Sequence, residues 1–518
     1  MTPKKQRPVR KARDKVKTVD ELGAIAEDAR AKGLKVVLAH GVYDLVHMGH
    51  VRHLEAALRE GDLLMVTITA DHLVNKGPGR PIFSENLRAE MLAALEYVDW
   101  VGVSLAHSAE GVLEIIKPDV YVKGADYENP DDDVTGNILS ERNVVEKHGG
   151  QIVFTKDISF SSSELINKYL DVYDRPLRDY LDGHRDSGAA EKIADLVESI
   201  KDYRVLLVGD AIIDEYQYVQ TMGKAPKEHM IATRAYEREL FAGGVFAAAN
   251  HVADFCAEVE IITVLGNQDS REDFIRENLR PNITLTPFYR DDAPTTRKCR
   301  FVDSGYLRKL FEVYYFEDTP PDKPLEDAID KAIAERAVDF DLVIANDFGH
   351  GMLTAPSIKT LSEKSKFLAV NTQTNSANLG YNLITKYRKA NFVCIDAPEA
   401  QLATGDRFSN METLASEQLS KRIDCDKFII THGKQGCVTF EPKAGAVRIP
   451  AFTKTVVDTV GAGDAFLSIA APLAAAGGEM ELVGFVGNAA GAMKVSIVGH
   501  RRSVEKIPLM RYIATLLK

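Results

Sequence analysis

Short apolar runs that end in a glycine-bearing or polar loop recur through the second part of this chain: YRVLLVGD, EIITVLG, DLVIANDFGHG, FLAVNTQ, NFVCIDAPEA and KFIITHGKQG. Such runs, bounded by turn residues and alternating with helical stretches, specify strands of a parallel sheet with helices on both faces. An earlier segment, KVVLAHGVYDLVHMGHVRHLEAALREGDLLMVTI, repeats the unit, with strands at Lys35 to Ala39 and Leu63 to Ile68 around a loop and a helix. The expected fold class is therefore α/β, with two doubly wound parallel-sheet domains. A chain of 518 residues also exceeds what one core accommodates. Residues 1–30 are expected as a basic, mobile tail, 31–170 as the first domain, 171–202 as a polar linker with one amphipathic helix, and 203–518 as the second domain. Alternating aromatic and β-branched residues in 216–240 and 284–316 predict a small sheet projecting from that second domain as a lid.

Composition excludes several classes. Hydrophobic residues make up 45% and charged residues 27%, which suits packed cores. A formal charge of −12 argues against a nucleic-acid partner, since a surface that tracks phosphates needs basic character. The exception is the first 17 residues, with eight Lys/Arg against one Asp, which read as a solvated run lacking the apolar core of a secretory signal. No apolar run reaches the length of about eighteen residues that a membrane span requires. Five cysteines, with no CxxC pair, suit reduced thiols and a cytoplasmic location.

In parallel sheets of this kind, ligands bind beyond the carboxyl ends of strands, so the loops there are the candidates for chemistry. VDTVGAGDAF, Val457 to Phe466, leads directly into an apolar helical segment. Gly461 and Gly463 let the backbone bend and aim N–H groups at one point, and the helix start adds partial positive charge, so Gly461, Ala462 and Gly463 form a candidate anion cradle. Asp464 in the first turn faces whatever the cradle holds; a helix start with an acidic first turn is the alternative. Asp210 and Asp214, just past the strand Val205 to Val208, are candidates for gripping sugar hydroxyls. In the first domain His47 and His50, three apart at a helix start, can both face a triphosphate and stabilise charge on its bridging oxygens.

These motifs carry two family resemblances. HGVYDLVHMGH resembles the signature of cytidylyltransferase-type nucleotidyltransferases, with HxGH at His47 to His50. The resemblance implies backbone contacts to nucleotide from Gly41 and Tyr43, phosphate contacts from Lys76 and Arg88, a site lined by Lys123 and Asp126, and a helix opened toward the triphosphate by Ser161, Ser162 and Ser163. That last motif, ISFSSSELI, departs from the usual ISTT form. Residues 203–518 resemble the PfkB, or ribokinase-like, carbohydrate kinases. Asp464 is then the base that deprotonates the substrate hydroxyl, Gly461 to Gly463 the anion hole, and Asp214 a sugar ligand. Thr431, Gly433 and Gly436 match the nucleotide loop, and Asn488 the adenine pocket. Asp396 and Glu399 match a magnesium motif that ordinarily begins with asparagine, the metal being held through water. Lys298 and Arg300 match a pair found in heptose kinases of the family, for a substrate phosphate. Gly243 and Gly244 open the sugar motif, where Ala247 replaces the usual asparagine and Asn250 is near; NTQ at Asn371 to Gln373 replaces DPK.

The pair of resemblances is that of a bifunctional sugar kinase/nucleotidyltransferase with reversed domain order. It implies phosphorylation of a heptose-like sugar or sugar phosphate by Mg-ATP, and nucleotidyl transfer from ATP or CTP to a sugar 1-phosphate with release of pyrophosphate. Mg2+ is the implied cofactor, and a homodimer through the kinase lid the implied assembly. Two alternatives stand beside it: a cytidylyltransferase for a polyol or amino-alcohol phosphate with a fused kinase, and an active transferase with a non-catalytic kinase-like module.

Overall fold

The computed structural model describes residues 11–518 except 75, 77–79, 107, 125–136, 156–165, 167–172, 186, 304, 306, 318 and 454. The chain divides into two compact units, one of Met1–Arg175 with Met510–Lys518 and one of Pro176–Leu509.

The first unit is built on a six-stranded parallel sheet of β1 (Val16–Lys17), β2 (Val36–Gly41), β3 (Leu63–Thr69), β4 (Trp100–Ser104), β5 (Val120–Gly124) and β6 (Gln151–Thr155), in the order β1-β4-β3-β2-β5-β6. Alternation along β2 serves both faces: Val37 and Ala39 enter one apolar cluster with Leu54 and Leu92, while Val36 and Leu38 enter another with Leu22 and Leu113. β2 is where the strand order reverses, so its carboxyl end opens a crevice, and the helix Met48–Arg59 starts there.

Two ion pairs, one of them fully buried, fix the loops around that crevice. Asp44 accepts from Ile82 N at 2.6 Å and pairs with Arg80 at 2.5 Å, both side chains being fully buried. Arg88, also buried, donates to Val42 O, Thr69 O, Phe83 O and the Asp71 carboxylate. This corrects the expected phosphate contact: the guanidinium is spent on backbone carbonyls and Asp71, and so braces the loops that follow β2 and β3.

The second unit carries a nine-stranded sheet, formed by β7 (Arg204–Gly209), β10 (Glu258–Gly266), β11 (Ile283–Arg290), β14 (Leu342–Asp347), β15 (Leu368–Thr372), β16 (Phe392–Asp396), β17 (Phe428–Thr431), β18 (Cys437–Glu441) and β19 (Gly445–Ile449), in the order β11-β10-β7-β14-β15-β16-β17-β18-β19. Pairing is parallel from β11 to β17 and antiparallel beyond. A second sheet, β13-β12-β8-β9, consists of β8 (Ala211–Lys224), β9 (Ile231–Gly244), β12 (Arg297–Asp303) and β13 (Arg308–Tyr315). The projecting sheet expected from the sequence exists with altered membership: residues 283–290 pair in parallel with β10 in the main sheet, because their apolar side chains complete its edge. The polar stretch before β7 folds as helices. In one of them Tyr180 stacks on Phe485 and His184 meets Glu481 at 3.0 Å.

Removing one partner of a fully buried ion pair leaves an uncompensated charge, so Asp44→Ala is expected to cost about 3–5 kcal/mol in the first unit, read by urea unfolding.

Candidate active sites

Four elements of the second unit converge on one acidic centre. Asp464 lies in the first turn of the helix Ala462–Ala475, is 6% exposed, and follows Gly461, whose φ of 77° only glycine adopts readily. A Cβ on Gly461 would lie 2.4 Å from the His500 ring, so no other side chain fits there. Ala462 N makes a 3.3 Å turn bond to Thr459 O, and the other N–H groups of the first helical turn lack partners within the helix, which suits this turn to an anion. Burial raises the Asp464 carboxyl above its ordinary value; neighbouring Asp214 adds to this, and the charges of His500, Lys494 and Lys298 oppose it. A raised carboxyl is better matched to taking a proton from an alcohol near neutral pH.

Asp214 on β8 pairs with Arg300 on β12 and lies 3.3 Å from His500 Nε2. Burial alone would raise its pKa, but Arg300 and His500 outweigh it and hold the carboxyl well below the usual range. Gly243 is required by this approach, since a Cβ there would sit 2.0 Å from Asp214 Oδ2. Lys298 is buried beside Asp214, with its ammonium 5.3 Å from the Tyr314 ring. Asp214, Lys298, Arg300, Asp464 and the Gly461–Gly463 loop are therefore brought together.

Asp210 is used differently from the expected sugar contact. Its carboxylate accepts from Phe348 N, His350 N and Met352 N at 2.9–3.3 Å, which organises the loop after β14. Asn250 is likewise a correction: its side chain holds Asn278 O and Arg280 N, so it fixes a distant loop and does not stand in for the asparagine missing at Ala247. Gly244 closes β9 and packs against Asp210 O and Ile212. Thr431 ends β17, and Gly433 and Gly436 shape the turn into β18. Asn488 donates to Pro450 O at 2.7 Å.

Asp396 and Glu399 cap the helix Ala397–Thr404 reciprocally, each accepting the other's backbone N–H at 2.8 Å, and Glu399 also accepts from Thr374 N. Burial, then the Asp396 charge, push Glu399 up to about 8. Two adjacent raised carboxyls fit a nearby cation, although among the described residues no group of three or more acidic, His or Cys side chains forms a ligand set.

Sequence reasoning passed over Asp458, Lys494 and His500. Asp458 stands inside the quoted VDTVGAGDAF, and Lys494 interrupts the apolar run GFVGNAAGAMKVSIVGH. A charge placed in such a run was the available signal.

In the first unit His47 caps its helix, with Nδ1 accepting from Gly49 N at 3.1 Å, and its ring stacks on that of His50 at 4.0 Å. Burial, then the charges of His47, His53 and Lys76, bring His50 down to about 3. Burial thus favours its neutral form. Tyr43 adopts a left-handed backbone (φ 48°) with its ring buried near His50 and Gly41. Lys76 is half-buried, and burial and Arg80 lower it to about 8. Lys123 pairs with Glu141 at 2.7 Å. Asp126 and Ser161 to Ser163 lie outside the described residues.

A raised carboxyl at a helix start, on the carboxyl edge of a doubly wound sheet, is an arrangement suited to phosphoryl transfer to a small molecule. Over residues 203–507 the chain belongs to the pfkB family of carbohydrate kinases. Residues 38–168 match the cytidylyltransferase-like family. Among relatives, the bifunctional protein HldE of Alcanivorax borkumensis is 44% identical over 138 residues, 26% of this chain and 28% of that protein. HldE of Nitratiruptor sp. is 27% identical over 327 residues, 60% of this chain and 67% of the relative. The chain thus spans less than a third of the first of these proteins. A variant of phosphofructokinase-2 from Escherichia coli has the fold of the kinase part, with a TM-score of 0.50, 13% identity, and coverage of 61% of this chain and all of that one.

The base assignment carries a paired prediction. A carboxyl raised by folding costs stability once ionised, so that cost is absent below the ordinary carboxylate pKa and grows as pH rises through the folded value. Asp464→Asn is expected to melt no lower than the parent at neutral pH, with the difference vanishing in acid, while sugar-dependent ATP turnover falls roughly 10²–10⁴-fold. In the parent, kcat/KM should decline as pH is lowered through the raised Asp464 value.

Proposed function

We propose that the chain is a two-reaction enzyme of nucleotide-sugar synthesis. The kinase unit phosphorylates a heptose-like sugar or sugar phosphate from ATP, and the other unit transfers a nucleotidyl group from ATP or CTP to a sugar 1-phosphate. The observation that carries this reading is the juxtaposition of Asp464 and its anion hole with Asp214, Lys298 and Arg300.

Asp464 takes the proton of the attacking hydroxyl, and the amides of Gly461 to Gly463 receive the transferred phosphoryl oxygens. Lys298 and Arg300 add the positive charge that a phosphorylated substrate would meet; Arg300 also fixes the carboxylate of Asp214, which orients the sugar. Thr431, Gly433, Gly436 and Asn488 border the nucleotide. Asp396 and Glu399 would hold Mg2+ through water, and that ion supplies neutralisation of the ATP phosphates. In the transferase unit the attacking phosphate is already ionised, so His47, His50 and Lys76 have only to position the triphosphate and stabilise the departing pyrophosphate. The HldE names of the relatives support pairing the two reactions.

No helix among the described residues is long and apolar enough to cross a membrane. All five cysteines are free and buried, which suits the reducing cytoplasm.

Phosphorus NMR of the protein with ATP or CTP and a panel of sugars and sugar phosphates tests the assignment. Asp464→Asn should abolish only sugar phosphorylation, and His50→Ala only pyrophosphate release. Loss of both in either variant, or no sugar-dependent phosphorylation by the parent, would count against it.

A homodimer through the lid sheet accompanies this reading. Met222, Met230, Ile231, Tyr236 and Phe311 leave large apolar surface exposed on that sheet. Light scattering should give twice the chain mass, and charged substitutions at Met230 and Ile231 should return it to the monomer value.

A further inference from the structure

Lys494 is a buried cation for which the kinase reading has no use. It ends the helix Met480–Lys494, is fully buried, and directs its ammonium to Val460 O at 2.9 Å and Gly499 O at 2.6 Å. Those two residues are the ones immediately before Gly461 of the anion hole and before His500, which reaches Asp214. Their N–H groups are held from the opposite side by a single carboxylate: Asp458 accepts from Val460 N at 3.1 Å and Gly499 N at 2.8 Å. Lys494 and Asp458 thus clamp the same two peptide segments, one through carbonyls and the other through amides.

The clamp also reaches the lid sheet. Asp458 accepts from Tyr216 on β8 and from Lys309 on β13, each at 2.6 Å. The other charged groups around Lys494 are Asp464 and Asp214, which favour its ammonium form, and Lys309, which opposes it; burial is the larger influence and lowers Lys494 to about 8. A cation is thus kept there against burial, in a seat of backbone carbonyls behind the Gly461–Gly463 loop.

We infer that Lys494 is a tethered cation and a positioning residue of the kinase site: it sets the Val460–Gly463 loop and the Gly499–His500 loop in register, and makes phosphoryl transfer independent of free monovalent cations. The chemistry predicts a conversion. With the side chain cut back, the vacated seat retains its carbonyl oxygens and the surrounding carboxylates, which suit an ammonium or potassium ion.

The inference rests on the kinase reading, and the test separates the two. Full-length wild type and Lys494→Ala are assayed for sugar-dependent ATP turnover with choline, then ammonium or potassium, as the monovalent cation, and both are melted in the same salts. Wild type should turn over equally in all three. Lys494→Ala should lose roughly 10²-fold in kcat in choline, the scale for removing one preorganised charge at such a site, with KM for sugar little changed. Ammonium should restore most of the loss, and should raise the melting temperature of the variant alone. Wild type activated by potassium, or a variant that no cation rescues, would overturn the inference. If wild type shows no sugar-dependent turnover, the kinase reading fails and the melting arm alone decides. A variant that melts identically in the three salts, or stays unfolded in all of them, then sinks the tethered cation.

Discussion

Burying carboxylates together is the constraint on which the kinase unit depends. Asp214, Asp458 and Asp464 are all more than nine-tenths buried within one region, and anions in that setting must be compensated or protonated. The fold compensates them unequally. Asp214 receives Arg300 and His500, and Asp458 receives Lys309, Tyr216 and two backbone amides, so both are held below the usual carboxylate range. Among the described residues no cation hydrogen-bonds to Asp464, and it is raised. Chemically similar side chains are thereby given opposite shifts in proton affinity, and environment alone makes the division.

The compensating charges come from elements far apart in sequence. Lys298 and Arg300 lie on β12, Lys309 on β13, and Lys494 and His500 on either side of the last turn before the final helix. The second sheet is therefore part of the charge balance of the centre. Its strands deliver the charges that make the centre stable, so displacement of β12 or β13 would alter the protonation of the carboxylates as well as access to them.

This dispersal explains what could be read from the sequence. The parallel sheets were legible because each strand carries its own local signal, a short apolar run ending in glycine or a polar turn. The Gly461 turn and the Asp464 helix start were legible for the same reason, as glycine and carboxylate share one loop. Asp458, Lys494 and His500 were not, because their roles exist only through contacts made across the fold; a lysine near the end of a helix ordinarily reads as a favourable C-terminal charge in solvent. Arg88 and Asp210 erred in the opposite direction. Each sits where a ligand contact is expected, but buried backbone groups claim its hydrogen bonds, a competition that spacing along the chain does not reveal.

The two sites differ as their proposed nucleophiles do. A sugar hydroxyl must lose a proton as it attacks, and the kinase unit holds a carboxyl that burial raises above its ordinary value. A sugar phosphate arrives ionised, and in the transferase unit the histidines of the crevice are not poised to act as bases: His40, bonded to Thr67 at 2.9 Å, and His50 are each brought down to about 3, chiefly by burial. A neutral imidazole donates a hydrogen bond to phosphate without the desolvation cost of an imidazolium, and arrival of a polyanion then favours its protonation just as charge develops on the leaving pyrophosphate. The same buried, helix-start setting thus raises an acid in one unit and suppresses a base in the other, because loss of solvent disfavours whichever form is charged.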